Sequence, residues 1–188
     1  MTTQQDLTYR QLVTLPDGAR VLLRPMVADD KPAFLALYSN MSAEDQRAMR
    51  HNLSDPQLVD AWVEQLDYER ELPLVAMAGD RMAGHATLHL NPGPARHRAD
   101  VMIYLARDFR GRGLGTRMLQ AVIDLAKRRS LYLLEAQVVS ERTSDIRAFQ
   151  KLGFEVKCTY EDWFMLPDGE FMDAVHLILR LRSGQHEF

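Results

Sequence analysis

Three glycines in five positions, Gly111, Gly113 and Gly115, stand in the run Arg110-Gly111-Arg112-Gly113-Leu114-Gly115-Thr116. Glycine lets the main chain approach a ligand closely and take conformations closed to other residues. The first turn of a helix also presents unpaired amide N–H groups at the positive end of its dipole. Together these make an anion site, best suited to a phosphate or pyrophosphate. Arg107, Arg110, Arg112 and Arg117 surround it with positive charge. Two familiar phosphate loops are excluded. No Gly-Lys pair occurs in the chain, as a kinase- or ATPase-type loop requires, and Thr116 stands where a dinucleotide fingerprint needs its third glycine.

The flanking sequence positions this loop. Asp100 to Ala106 reads as a buried strand, because Val101 to Leu105 are continuously apolar. From Leu114 the period changes to three and four, through Met118, Ala121, Val122, Leu125 and Ala126, which predicts an amphipathic helix. Lys127-Arg128-Arg129 close that helix at its negative end and read as a solvated charge cluster. Upstream, Pro16-Asp17-Gly18 and Gly79-Asp80 predict two hairpins, Gln11–Leu15 with Arg20–Arg24 and Leu72–Ala78 with Met82–Leu90. Between them lie three expected helices, starting near Asp29 or Asp30, at Ser42-Ala43-Glu44-Asp45 and at Ser54-Asp55-Pro56. Downstream come a strand through Leu131–Val139, a short helix over Thr143–Leu152 closed by Gly153, and a hairpin turning at Pro167-Asp168-Gly169. The result is a mixed α/β sheet.

The chain has 188 residues, 46% hydrophobic and 26% charged, which fits one globular domain with loose tails at about residues 1–8 and 183–188. A net charge of −3 gives no overall reason to expect nucleic acid or an anionic membrane as partner. Cys158 is the only cysteine, so neither an internal disulfide nor a cysteine zinc site can form. The six histidines lack metal-ligand spacing; His85 and His89 fall on one face of a strand, and no metal site is expected. The N-terminus lacks the features of a signal peptide and no apolar run approaches the ~20 residues of a membrane span, so a cytoplasmic location is expected.

The glycine loop resembles the acetyl-CoA loop of the GNAT superfamily of N-acetyltransferases, Arg/Gln-x-x-Gly-x-Gly/Ala, here Arg110-x-x-Gly113-x-Gly115. A second motif of that family, Lys-Leu-Gly-Phe at the end of the last short helix, stands at Lys151-Leu152-Gly153-Phe154. The element order also matches, from residue 20 to 181. The resemblance implies a predominantly antiparallel, twisted sheet with helices on both faces. It implies acetyl-CoA as co-substrate, no metal, and direct acetyl transfer to a primary amine, either a protein lysine or a small molecule. Amides from Gly111 to Thr116, including Arg112 and Leu114, would hold the pyrophosphate, and the strand end at Ile103, Tyr104 and Leu105 would pair with the pantetheine arm. Many GNAT enzymes carry an acid about ten residues before the loop arginine, where Asp100 stands here, as general base; Glu135 and Glu141 are reserves.

Two positions depart from the family. An asparagine at the start of the last helix, a cofactor contact, is Arg142, and a proton-donating tyrosine seven residues later is Phe149, which has no proton to give. These departures leave open a CoA-binding module without catalysis; an enzyme for a longer acyl-CoA is a third reading. Leu23-Arg24-Pro25, Met41-Ser42-Ala43-Glu44-Asp45 and Glu135-Ala136 through Glu141 to Phe154 resemble bacterial protein-lysine acetyltransferase domains, which often lack the tyrosine. The acceptor site is expected around Tyr38 to Met49 and Trp163 to Phe171, and a homodimer stays open.

Overall fold

A computed structural model describes residues 6–39, 41–42, 45, 55–166 and 169–181. It contains one eight-stranded sheet in the order β1-β2-β3-β4-β5-β6-β8-β7. The strands are β1 (Gln11–Thr14), β2 (Arg20–Pro25), β3 (Glu71–Ala78), β4 (Arg81–Leu90), β5 (Arg98–Leu105), β6 (Leu133–Val139), β7 (Glu155–Met165) and β8 (Phe171–Arg180). Every neighbouring pair is antiparallel except β5 and β6. The helices are α1 (Lys31–Ser39), α2 (Pro56–Glu64), α3 (Leu114–Arg128) and α4 (Thr143–Lys151). None of the described helices is long and apolar enough to cross a membrane.

Apart from the helix expected at Ser42 and the turn residues Pro167 and Asp168, which lie outside the described residues, the expected elements are present, with strand and helix ends shifted by a few residues. The expected helix beginning at Ser42 lies outside the described residues apart from its start, where the Asp45 amide donates to Ser42 Oγ at 3.2 Å. Asp55 caps α2 by accepting from the Gln57 amide at 2.9 Å. Neither Asp29 nor Asp30 caps α1 directly. A 3-10 turn, Ala28–Asp30, intervenes, and the buried Asp30 accepts from the Val27 amide and pairs with Arg24 at 2.5 Å.

Alternation along β4 and β5 assigns the two faces of the sheet. His85 is buried among Phe34, Tyr38 and Trp62 of α1 and α2. Its neighbour Gly84 points the other way, toward Met118 of α3. Helices therefore cover both faces, as the strand pleat requires. Gly84 lets α3 lie close: a Cβ there would stand 2.7 Å from Leu105 Cδ2 and 2.8 Å from Met118 Sδ. Gly84→Ala should overpack this contact and destabilise by ~1–2 kcal/mol, seen as a Tm lower by a few degrees. An unchanged melting curve would contradict the close packing.

Asp6 and Arg129, which the sequence places in loose or solvated stretches, are instead packed. Asp6, placed by its sequence in the N-terminal tail, is buried and pairs with Arg129 Nε at 2.7 Å. Arg128 lies 5.3 Å from the centre of the Tyr9 ring. The cations at the end of α3 thus hold Asp6 and Tyr9 against the helix, the Arg129–Asp6 pair joining residues 123 positions apart.

The end of α4 explains both Lys151-Leu152-Gly153-Phe154 and Phe149. Gly153 has φ +92°, its amide donates to Gln150 O, and the Phe154 amide donates to Phe149 O. This is a Schellman ending, in which glycine takes the left-handed position and the next residue packs back on the helix. Phe154 meets Phe149 edge-to-face at 5.0 Å, and both rings are buried.

Candidate active site

β5 and β6 pair only from Arg98 to Asp100 and Leu133 to Glu135, and beyond that point they part. On its other side β5 stays paired with β4 out to Leu105, and the Ala106 amide donates to Ala83 O at 3.0 Å. In an antiparallel pair, alternate residues direct both backbone groups to the same neighbour. Ala106, Tyr104 and Met102 therefore face β4, while Val101, Ile103 and Leu105 turn N–H and C=O toward the open side. The Leu105 carbonyl accepts from Arg110 Nε at 3.1 Å, consistent with that direction. Of the strand-end residues anticipated from sequence, Ile103 and Leu105 present backbone to the cleft. Tyr104 does not; its buried side chain stacks on Tyr38 at 5.2 Å.

The glycine loop closes the end of this cleft. Gly111 and Gly113 have φ of +69° and +85°, so the chain turns there through a conformation that side chains disfavour. Gly113 stands directly before α3, and the first turn-closing bond runs from the Arg117 amide to Gly113 O. Among the described residues, the amides of Gly111, Arg112, Gly113, Leu114, Gly115 and Thr116 have no hydrogen-bond acceptor. Six donors in succession at a helix start fit a pyrophosphate. The open backbone of Ile103 and Leu105 likewise fits an amide-bearing arm added as a strand. Acetyl-CoA, when bound, supplies the activated acetyl group as a thioester.

The loop arginines hold carboxylates. Arg112 pairs with Asp17 in the first hairpin turn, donates to Asp108 O and lies over the Phe109 ring. Arg110 reaches the buried carboxylate of Asp45 at 2.8 Å, and Arg142 meets that carboxylate from the far side at 2.9 Å. Burial raises the Asp45 pKa, but hydrogen bonds from Arg110, Ser42 and Arg142 prevail and hold it below the usual carboxylate range. The guanidinium of Arg142, anticipated as a cofactor contact, is thus engaged by Asp45.

Asp100 lies at the last closed pair before the strands part, opposite Glu135. It is half-buried, and Asn91 Nδ2 donates to its Oδ2 at 3.2 Å. Glu135 is buried; Arg98 donates to it at 2.8 Å, and His176 Nε2 lies 3.3 Å away without hydrogen-bond alignment. Glu141 is not on β6: it is exposed in the turn beyond Val139. The same sheet face carries Tyr160 and Trp163, stacked at 4.5 Å, and Trp163 Nε1 donates to Gln137 at 3.2 Å. Trp163 and Phe171 were anticipated from sequence near the acceptor; Asn91, Gln137, Tyr160 and His176 were not. Their contacts bridge different strands, and no local pattern marks them.

His85 is a core residue. Tyr38 Oη lies 2.8 Å from its Nδ1 and Thr87 Oγ1 2.9 Å from its Nε2. Burial, with His89 adding to it, pushes its pKa down to about 3. The folded ring stays neutral while the unfolded chain takes up a proton below about pH 6.5. Stability should therefore fall as pH drops from about 6.5 toward 3, by up to ~1.4 kcal/mol per unit from this group. Thermal melts should show a shallower decline for His85→Gln; equal slopes would contradict the assignment. Among the described residues, no group of three or more His, Cys, Asp or Glu could hold a metal ion.

Comparison with known proteins identifies the family. Residues 37–154, more than half of the chain, match the model of the acetyltransferase (GNAT) family. The chain belongs to that family: it is an acetyl-CoA-dependent N-acetyltransferase, and an amine is its acceptor. It is similar to spermidine N(1)-acetyltransferase of Escherichia coli, 25% identical over 180 residues that cover 93% of this chain and 91% of that one. It is 36% identical over 64 residues to an uncharacterized N-acetyltransferase of Methanocaldococcus jannaschii, a match spanning 34% of this chain and 28% of that protein. The fold is similar to that of yncA from Salmonella typhimurium, solved with its cofactor acetyl-CoA. The TM-score is 0.74 at 22% identity, covering 88% of this chain and 96% of that one.

Proposed function

We propose that this protein acetylates a primary amine carried by a cationic acceptor, a small polyamine-like molecule or a protein lysine, with Asp100 as the base. The observation that carries the reading is the row of six unpaired amides, Gly111 to Thr116, beside an open strand edge. Acetyl-CoA held there would supply its thioester to the cleft that opens beyond the closed pair of Asp100 and Glu135. A primary amine of pKa near 10 arrives protonated at neutral pH and must lose a proton before it attacks. Asp100 is available for this, since it accepts a bond from Asn91, whereas Glu135 is already engaged by Arg98. The stacked rings of Tyr160 and Trp163, which lie near Glu135 across His176, suit a cationic chain. The similarity to a spermidine acetyltransferase supports the small-molecule form; the likeness of residues 23–25 and 41–45 to protein-lysine acetyltransferase domains supports the other.

Phe149 motivates a second reading, a CoA-binding module without turnover. Its ring is packed into the end of α4, so no acid acts from that position, and the thiolate would leave with help from water or from the ammonium of the tetrahedral intermediate, giving the amide and free CoA. Release of free CoA across polyamines, amino acids and lysine peptides tests both. Turnover with a primary amine is the expected result. Binding of acetyl-CoA without release from any acceptor would favour the module, and faster turnover with propionyl- or succinyl-CoA would reassign the donor.

A further inference from the structure

The two strands that part at Asp100 and Glu135 lead into separate loops, one carrying Arg110 and the other Arg142. Both arginines end on one carboxylate from a third part of the chain. Asp45 Oδ2 accepts from Arg110 Nη2 at 2.8 Å and from Ser42 Oγ at 2.9 Å, and its Oδ1 accepts from Arg142 Nη2 at 2.9 Å. Its side chain is 4% exposed. Arg110 is further fixed by its bond to Leu105 O and by lying 5.4 Å from the centre of the Tyr104 ring. We infer that Asp45 is a positioning residue for the donor: it ties the two walls of the cleft together across the mouth and so sets the spacing in which acetyl-CoA lies.

This rests on the donor site proposed above. Without the carboxylate, two guanidiniums would face each other across the cleft, and like charges in a partly buried site repel. The tie also gives Arg142 a role in place of the family's asparagine. Asparagine can contact a ligand directly, whereas a longer cation reaches Asp45. Because Asp45 belongs to the segment between α1 and α2, it further joins the donor cleft to the side where the acceptor is expected.

The charge arrangement makes a prediction with a change of sign. Arg142→Gln in the otherwise native protein should loosen the tie and raise the acetyl-CoA Kd about threefold by calorimetry. Asp45→Asn should raise it about tenfold. In the Asp45→Asn background, Arg142→Gln should instead lower the Kd, because it removes one of two repelling cations. Such coupling between contacting residues is read from the double-mutant cycle. A purely structural role would make the two losses add, and unchanged Kd in folded Asp45→Asn protein would overturn the inference. Should Asp45→Asn not fold, Arg142→Gln alone decides: equal affinity with an unchanged Tm would overturn it. If the native protein itself binds no acetyl-CoA, the donor site fails; if the native protein binds and the variants bind equally, only the tie fails.

Discussion

Gly113→Leu is expected to abolish acetyl-CoA binding while the protein remains folded. Gly113 sits at φ +85°, where a side chain costs about 1–2 kcal/mol, well below the ~5–15 kcal/mol that hold a typical domain together. Its Cβ would meet only Pro16 Cδ, at 3.8 Å, so the fold has room for the substitution. The ligand does not. A leucine side chain at the middle of six amide donors would prevent a pyrophosphate from reaching them. Losing two charge-assisted hydrogen bonds at ~1.5–3 kcal/mol each corresponds to roughly a hundredfold or more in Kd. Calorimetry paired with circular dichroism checks it. A folded variant with native affinity would show that the glycine loop does not bind the donor.

Asp100→Asn should reduce kcat/KM by about 10²–10⁴, the usual effect of removing a general base, with the acetyl-CoA Kd unchanged. The deficit should widen as pH falls. Without the base, transfer depends on the acceptor already being neutral, and that fraction shrinks tenfold per unit below the amine's pKa. Steady-state rates from pH 6 to 9 measure this. Equal turnover of variant and native protein throughout would remove Asp100 from the reaction, and a large loss in Glu135→Gln instead would transfer the role to the neighbouring strand.

Local signals made most of the fold legible. Turn residues fixed the hairpins at Pro16-Asp17-Gly18 and Gly79-Asp80, the change of period at Leu114 located α3, and Gly153 marked the end of α4. The glycine loop was legible for the same reason, since its turn and its row of consecutive backbone amides are written locally. The side chains around it were not. Arg110 and Arg112 look from sequence like ligands for an anion, yet they pair with Asp45 and Asp17, 65 and 95 positions away. No periodicity encodes a salt bridge across such a separation. Glu135, His176, Tyr160 and Trp163 come together only because β8 lies between β6 and β7, a strand order that residue spacing does not reveal. Arg129 misled for a related reason: a cation after a helix is usually solvated, but Asp6 folds back to meet it.

The chain's own main-chain donors between Gly111 and Thr116 are expected to seize the diphosphate of acetyl-CoA. Titrating acetyl-CoA into the native protein by calorimetry tests it most directly. Saturable binding of one molecule per chain, competed by CoA and lost in Gly113→Leu, is the predicted result. A folded native protein that takes up no acetyl-CoA would contradict it.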